Sequence, residues 1–511
     1  MDAVCINQAD LDERAHQVQM MREIYSHATR ALVWLGPGDE GSDRVMRLIP
    51  RVREFPSDSS STADPTHLLV PEFVQQGAED ALEPEDLVQF FSRAWFRRAW
   101  VVQEVGVSRQ ISVLCGHATV EWDDLAKVSE LMTASVVGRT GTVLVKNPMM
   151  MSLARKDVAS GLPLNLLRYL IWFRSWQSAD ARDKVFSLLG MVCYHDTALI
   201  QYTTSVEEVF KRTAVSIMKI HRTLDLLDAA NPSASTRPLP NWVPDWGERQ
   251  NPISLVRYEQ RSAGDDDRVF KASHVTKWTV KLSDDANQLG VRGHLVDRVV
   301  RVSSLNPEYP ESYDPNSKEF WDLMEQGQKC MKEFAAISKS VRTTNGNYIT
   351  GETIKAAQWK TLLCGKYTDT LEPEISAAYS SFEKLNWLGR RIQFIRKNGY
   401  SAVDHHMEKL IAFLPIRIMF AKFFAGAFEF NNSTSQPRGR RFISTERGYV
   451  GLAPAGTQIG DEVGLFEGSQ TPLIVKPSSG QYLEFKGCAY VHGIMQGELW
   501  DGSKTESYWL R

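Results

Sequence analysis

The chain is short of most features that assign a protein on sight. It lacks a surplus of either charge: 59 Lys and Arg stand against 62 Asp and Glu, a net charge of −3. That balance argues against nucleic acid or an anionic membrane surface as partner. Cysteine is sparse, with only Cys5, Cys115, Cys193, Cys330, Cys364 and Cys488 in 511 residues and no C-x-x-C pair. A disulfide framework and a metal site are therefore not expected, and the thiols read as free and buried in a reducing compartment. Long apolar runs are missing too. The most apolar late stretch, Leu410 to Phe428, is broken by Pro415, Arg417 and Lys422, so it reads as a buried amphipathic helix and not a membrane span. No signal-peptide pattern opens the chain and no internal repeat is visible. A cytoplasmic, soluble protein is the expectation.

What is present is ordinary globular sequence, 43% hydrophobic and 24% charged, over a length that calls for more than one core. Asp2–Gln8 reads as a strand ending in a polar turn. A helix follows from Asp10 to Ala28, with Asp10 as N-cap and Glu13 at the capping-box position. Ala31–Leu35 is a second strand, so the order predicts a parallel crossover in an α/β domain. A Ser-rich loop at 57–64 precedes helices over 84–91 and 94–107, and Gln110–Gly116 reads as a third strand. Helical patterns recur over 122–134, 164–177, 183–189 and 206–221, and long helices over 318–337, 374–397 and 406–428. Short strands are expected near 278–282 and 289–302. From Arg441 to Val491 six short strands alternate with Gly-bearing turns, the pattern of a small antiparallel barrel. The whole is an α+β multi-domain chain. Its expected divisions are an α/β domain at 1–150, a helical extension at 151–230 and an extended connector at 231–290. A mixed strand and long-helix region at 291–430 and a β-barrel at 431–511 complete it.

Few residues invite chemistry. On a helix over 94–107, Arg93, Arg97, Trp100 and Glu104 fall on one stripe. An aromatic plane, two guanidinium groups and a carboxylate suit a nucleotide. The same stripe also reads as the solvated side of a helix whose core face is Trp95, Ala99 and Val102, with Glu104 in a surface ion pair. Asp2 and Asn7 flank the first strand, and Asn7 stands at the carboxyl end, where open parallel sheets bind ligands. Asn7 and Gln8 serve equally to hold the turn before the helix. Asp180 and Asp183 read as a helix cap and its partner rather than a catalytic pair. Trp242 and Trp246 read as packing, and His492, with no acidic neighbour in sequence, as structural.

Four blocks together resemble the fungal heterokaryon-incompatibility (HET) domain proteins. They are Asp2–Gln8 with Gln17–Gly36, Arg93–Val105 with its Arg-Ala-Trp-Phe-Arg-Arg-Ala-Trp core, Ala181–Gly190 with Leu239–Trp246, and Arg441–Leu452 with the strands up to Gly493. The resemblance implies a role in non-self recognition and programmed cell death, with protein partners or self-assembly. It places a partial HET domain at 1–150, because members usually begin with a strand ending in Ser-Tyr-x-Trp-Gly and a helix ahead of the strand at Asp2. The expectation is a chain N-terminally truncated relative to the family, either as a shortened gene product or as a shorter protein in its own right.

The HET domain is in turn similar to TIR domains, which are flavodoxin-like, and some of which cleave NAD with a glutamate in a W-x-x-x-E helix. Trp100 to Glu104 fits that spacing. The resemblance implies Glu104 as the catalytic carboxylate, Trp100, Arg97, Asn7 and Asp2 as nucleotide contacts, NAD as substrate, no cofactor and no metal. A non-enzymatic module acting by assembly, and an inactive product, are the competing readings.

Overall fold

The computed structural model describes residues 5–54, 84–134, 143–161, 164–192, 199–248, 254–256, 270–307, 318–343, 345–365, 372–373, 375–381 and 437–511. The chain forms two compact units. One holds residues 1–221, 235–239 and 243–250; the other holds 222–234, 240–242 and 251–511. The expected helices at 374–397 and 406–428 and the Ser-rich loop at 57–64 lie almost wholly outside the described residues, as does Asp2.

The first unit begins with helix α1, Leu11–His27, capped by the Asp10 carboxylate, which accepts from the N–H groups of Asp12 and Glu13. Glu13 reaches further back than a capping box requires and accepts from the N–H of Asn7 at 3.1 Å. The predicted opening strand is corrected in its described part. Cys5 is helical, Ile6 to Ala9 form a bend and turn, and Asn7, Gln8 and Ala9 are exposed. The Asn7 carbonyl accepts from Asp10 and its side-chain oxygen from Ala9, so its polar groups are spent on the turn and none is in a ladder. The sheet consists of β1 (Ala31–Trp34), β2 (Ile111–Cys115) and β3 (Ala118–Glu121). β1 and β2 pair in parallel from Ala31 opposite Ile111 to Trp34 opposite Leu114, and β2 and β3 form a hairpin. At the hairpin Gly116 has φ +56°, and a Cβ there would stand 2.9 Å from Gly38 backbone. Only glycine allows that approach.

Helices α2 (Glu40–Leu48), α3 (Pro84–Phe91), α4 (Trp100–Val107), α5 (Trp122–Ala134) and α6 (Asn147–Ala159) follow. α2 opens on a reciprocal Asp39–Ser42 capping box. An aromatic cluster of Phe90, Phe91, Phe96 and Trp122, all at most 1% exposed, forms the core between them. α7 (Leu166–Trp172), α8 (Asp183–Leu189) and α9 (Val206–His221) complete the unit.

The second unit is built on one strand. Two short strands, β4 (Ala272–Val275) and β5 (Lys281–Leu282), lead into β6, which runs unbroken from Leu289 to Leu305. Helices α10 (Lys318–Lys339) and α11 (Ile354–Leu363) come next, then β7 (Arg440–Thr445), β8 (Val450–Pro454), β9 (Glu462–Phe466), β10 (Leu473–Pro477), β11 (Tyr482–Cys488), β12 (Tyr490–Val491) and β13 (Glu506–Leu510). The order β6-β13-β11-β10-β9 returns to β6 through a β6–β9 pairing, closing a five-stranded barrel. Every ring pairing is antiparallel except β11 with β13. Register shifts at Leu295/Asp297 and Val299/Arg301 bend β6 out of the ring, where it pairs with β7 and starts a second sheet through β8 to β12. Bulges of this kind re-aim a strand. α10 lies on that sheet, its Phe334 ring stacked on Phe442 at 3.7 Å.

Closure depends on Gly293. A Cβ there would stand 2.1 Å from the Leu465 carbonyl oxygen and 2.8 Å from the Phe466 Cα, so the ring shuts only over a bare backbone. Gly293→Val should lower stability by about 3 kcal/mol through that overpacking. Thermal melts of the full chain, compared with a Val substitution at the exposed Gly502, test it; equal melting temperatures would show that the barrel tolerates an open seam.

Candidate functional site

The helix carrying Trp100 and Glu104 is shorter than its sequence pattern predicts. Ala94–Arg97 is a 3₁₀ turn, Arg98 is extended, and α4 starts at Trp100. The cause is backbone competition: Gln177 donates to the Arg97 carbonyl and accepts from the Ala99 N–H, taking groups a continuous helix would need. The stripe of four residues is therefore divided. Arg93 turns to the loop after β1, donating to the carbonyls of Leu35 (3.0 Å) and Pro37 (2.9 Å) and pairing with Asp39 at 3.1 Å. Arg97 donates to the Ser92 carbonyl at 3.1 Å. Neither guanidinium forms a phosphate fork with Trp100. Asn7 sits exposed in the turn before α1, and Asp2 is outside the described residues.

Trp100 and Glu104 remain together, one helical turn apart on the half-exposed side of α4. Val101, Val102, Gln103, Val105 and Gly106 are buried behind them. Trp100 comes beside a residue the sequence did not link to it, Asp183, whose proton affinity it helps to lower. Asp183 opens α8 without capping it and is 4% exposed. Tyr202 donates its hydroxyl to the same carboxylate, and Arg14 from α1 pairs with it at 3.2 Å. Burial pushes Asp183 above the usual carboxylate range, and the Tyr202 bond, the Arg14 charge and the Trp100 bond pull against that rise without cancelling it. Burial, with the Asp183 charge beside it, also raises Tyr202, which stays a phenol.

Arg14 lies over the Tyr202 ring at 3.7 Å and reaches Asp180 at 3.6 Å. Asp180 is held by a bidentate bond from Arg182 at 2.8 and 2.9 Å. Two aromatic rings, two carboxylates and two guanidinium groups thus meet from four segments spread over positions 14 to 202. Sequence offered only the local Asp180/Asp183 spacing as a signal, and that pointed to capping.

The second unit gathers another polar cluster. His492 has no acidic neighbour in sequence, yet its Nε2 lies 2.5 Å from Glu352 Oε1, and its Nδ1 is 3.1 Å from the Tyr490 hydroxyl. Lys360 pairs with Glu352 at 2.9 Å and Thr350 donates to it at 2.8 Å. Tyr348 donates to the His492 carbonyl and accepts from the Val450 N–H, both at 2.9 Å. The 140 residues between the partners explain why no local pattern exposed the pair. Among the described residues no group of three or more His, Cys, Asp and Glu is placed to hold a metal, and no helix is long and apolar enough to cross a membrane.

Comparison with known proteins matches residues 1–104 to the heterokaryon incompatibility protein (HET) model and residues 286–511 to the Het-6 β-barrel domain model. The chain is therefore similar to the heterokaryon-incompatibility (HET) proteins at both of its ends. It is 24% identical to heterokaryon incompatibility protein 6, OR allele, of Neurospora crassa, across 100% of this chain and 82% of that protein. No solved structure matches. The HET match closes on Glu104, so it contains Trp100 and Arg14 but not Asp183 or Tyr202. The barrel match takes in β6 to β13 with both Glu352 and His492.

The Glu352 cluster sets an acid limit on the chain. Burial alone would raise this carboxyl, but the His492 and Lys360 bonds and the His492 charge outweigh it and hold Glu352 at about 2 against an ordinary 4.5. A depressed folded value means that the unfolded chain binds the proton first. The stabilisation is complete above pH 4.5 and drains away as pH falls toward 2. Denaturant unfolding of wild type and Glu352→Gln across that window should show the wild-type advantage shrinking with acid; a constant gap would remove the electrostatic account.

Proposed function

We propose that this protein is an effector of fungal non-self recognition whose N-terminal unit triggers cell death by hydrolysing NAD, with Glu104 as the acting carboxylate. The two family-model matches support the heterokaryon-incompatibility role, and the shared face of Trp100 and Glu104 carries the finer reading. In that reaction the bond from ribose C1′ to the nicotinamide nitrogen breaks, and its electron pair neutralises the pyridinium. Glu104 stabilises the oxocarbenium-like ribose and takes the proton of the water that adds at C1′, giving ADP-ribose and nicotinamide. Trp100 offers a ring face to the substrate beside the Asp183 carboxylate. No cofactor enters.

A second reading, assembly without catalysis, is favoured by one observation. β1 has no strand on its outer edge among the described residues, and Leu32 and Trp34 on it are 70% and 55% exposed. Purified chain incubated with NAD should release nicotinamide, and Glu104→Ala should slow release by about a hundredfold, the usual worth of a positioned acid–base group. Equal NAD levels with both proteins defeat the enzymatic reading. Toxicity that survives Glu104→Ala but is lost with Leu32→Lys supports assembly.

A further inference from the structure

A groove in the N-terminal unit takes no part in either reading. It opens between α5 and α6 beside the C-terminal end of α4 and holds about 660 Å³, within the range of small-molecule sites. Its walls are fixed by polar ties. The Trp122 indole N–H donates to Ser152 Oγ at 2.8 Å, joining the two helices. Arg155 of α6 closes the α4 end by donating to the carbonyls of Ser108 (3.3 Å) and Arg109 (2.7 Å) while pairing with Asp123 at 2.9 Å. Val107, Ala126, Met149, Leu153 and Val158 supply apolar lining, and Leu153 is left 38% exposed.

The rim decides what such a lining would hold. Four cations and two anions border the groove. Arg155 is committed to Asp123, and Lys127 faces Glu130 at 3.7 Å. Arg109 and Lys156 have no ion-pair partner among the described residues. The lining contains no aromatic side chain, so a nucleobase has nothing to stack on, and a neutral apolar ligand would leave both cations unanswered.

We propose that the groove binds a small amphipathic anion, a long-chain carboxylate in class, with its aliphatic body on the Met149–Leu153–Val158 side and its carboxylate between Arg109 and Lys156. The probe is cis-parinaric acid, a fluorescent long-chain carboxylate, titrated into the full chain. One molecule should bind per chain. Charge reversal at both exposed cations, Arg109→Glu with Lys156→Glu, should weaken binding by about tenfold, and Leu153→Trp should block it by filling the floor. Both variants alter exposed positions, and circular dichroism confirms their fold. The methyl ester of the same acid should bind more weakly than the acid. No binding by wild type, several equivalent molecules per chain, unchanged affinity in either variant, or an ester that binds as well as the acid would overturn the proposal. None of these readouts depends on Glu104 or on NAD.

Discussion

A carboxylate taken out of water must be answered by donors, and Asp183 is where the N-terminal unit meets that demand. Its partners come from α1 and the segment before α9, with Trp100 of α4 alongside, so one side chain brings three pieces of chain together. The consequence is clearest for α1, which has no fully buried side chain and cannot be held by apolar packing alone. It is held at both ends of α8 instead: Arg14 grips Asp183 at the start, and Arg22 donates to the Gly190 carbonyl just past the end. Eight residues of helix rise about 12 Å and seven about 10 Å, so the two arginines span α8 only if the helices run side by side in the same direction.

The barrel unit meets the same demand with separate devices. Arg440, 1% exposed, donates to the Cys488 carbonyl at 2.8 Å and faces the charge of buried Asp228, which accepts from the Val256 N–H at 3.0 Å. Burial raises Asp228 and lowers Arg440, so each charge survives only through the other and its hydrogen bonds. Removing one partner of such a pair costs more than the pair itself contributes. These clusters specify an arrangement more than they stabilise it.

This division explains what the sequence revealed. Helix caps and strand alternation are local, and Asp10, the 183–189 and 206–221 helices and the strand at 462–466 stand where the pattern put them. Pairings set by distant residues were illegible. Gln177 interrupts the helix before Trp100, Glu352 answers His492, and Glu506–Leu510 returns to pair with β6. The strand expected near 289–302 runs on to Leu305 as one backbone strand through both sheets, because bulges re-aim it without ending it. Of the candidate site, the Trp100–Glu104 spacing was local and visible; the Asp183 cluster beside Trp100 was neither.

The two units also treat strand edges differently. Each of the five ring strands is paired on both sides, and closure is the one arrangement that removes edges outright. β1 has a single neighbour among the described residues. Isolated exposed leucines need no explanation, but Leu32 and Trp34 occupy alternate positions and so point to the same face, with Val33 buried opposite. Parallel strands are ordinarily covered on both faces. A strand added at the edge would satisfy backbone groups yet leave that face wet. Only a helix or a second sheet laid across it would bury Leu32 and Trp34, at roughly 1.5–3 kcal/mol for each side chain fully covered. The physical demand at β1 is thus for a layer, and an extended peptide alone does not meet it.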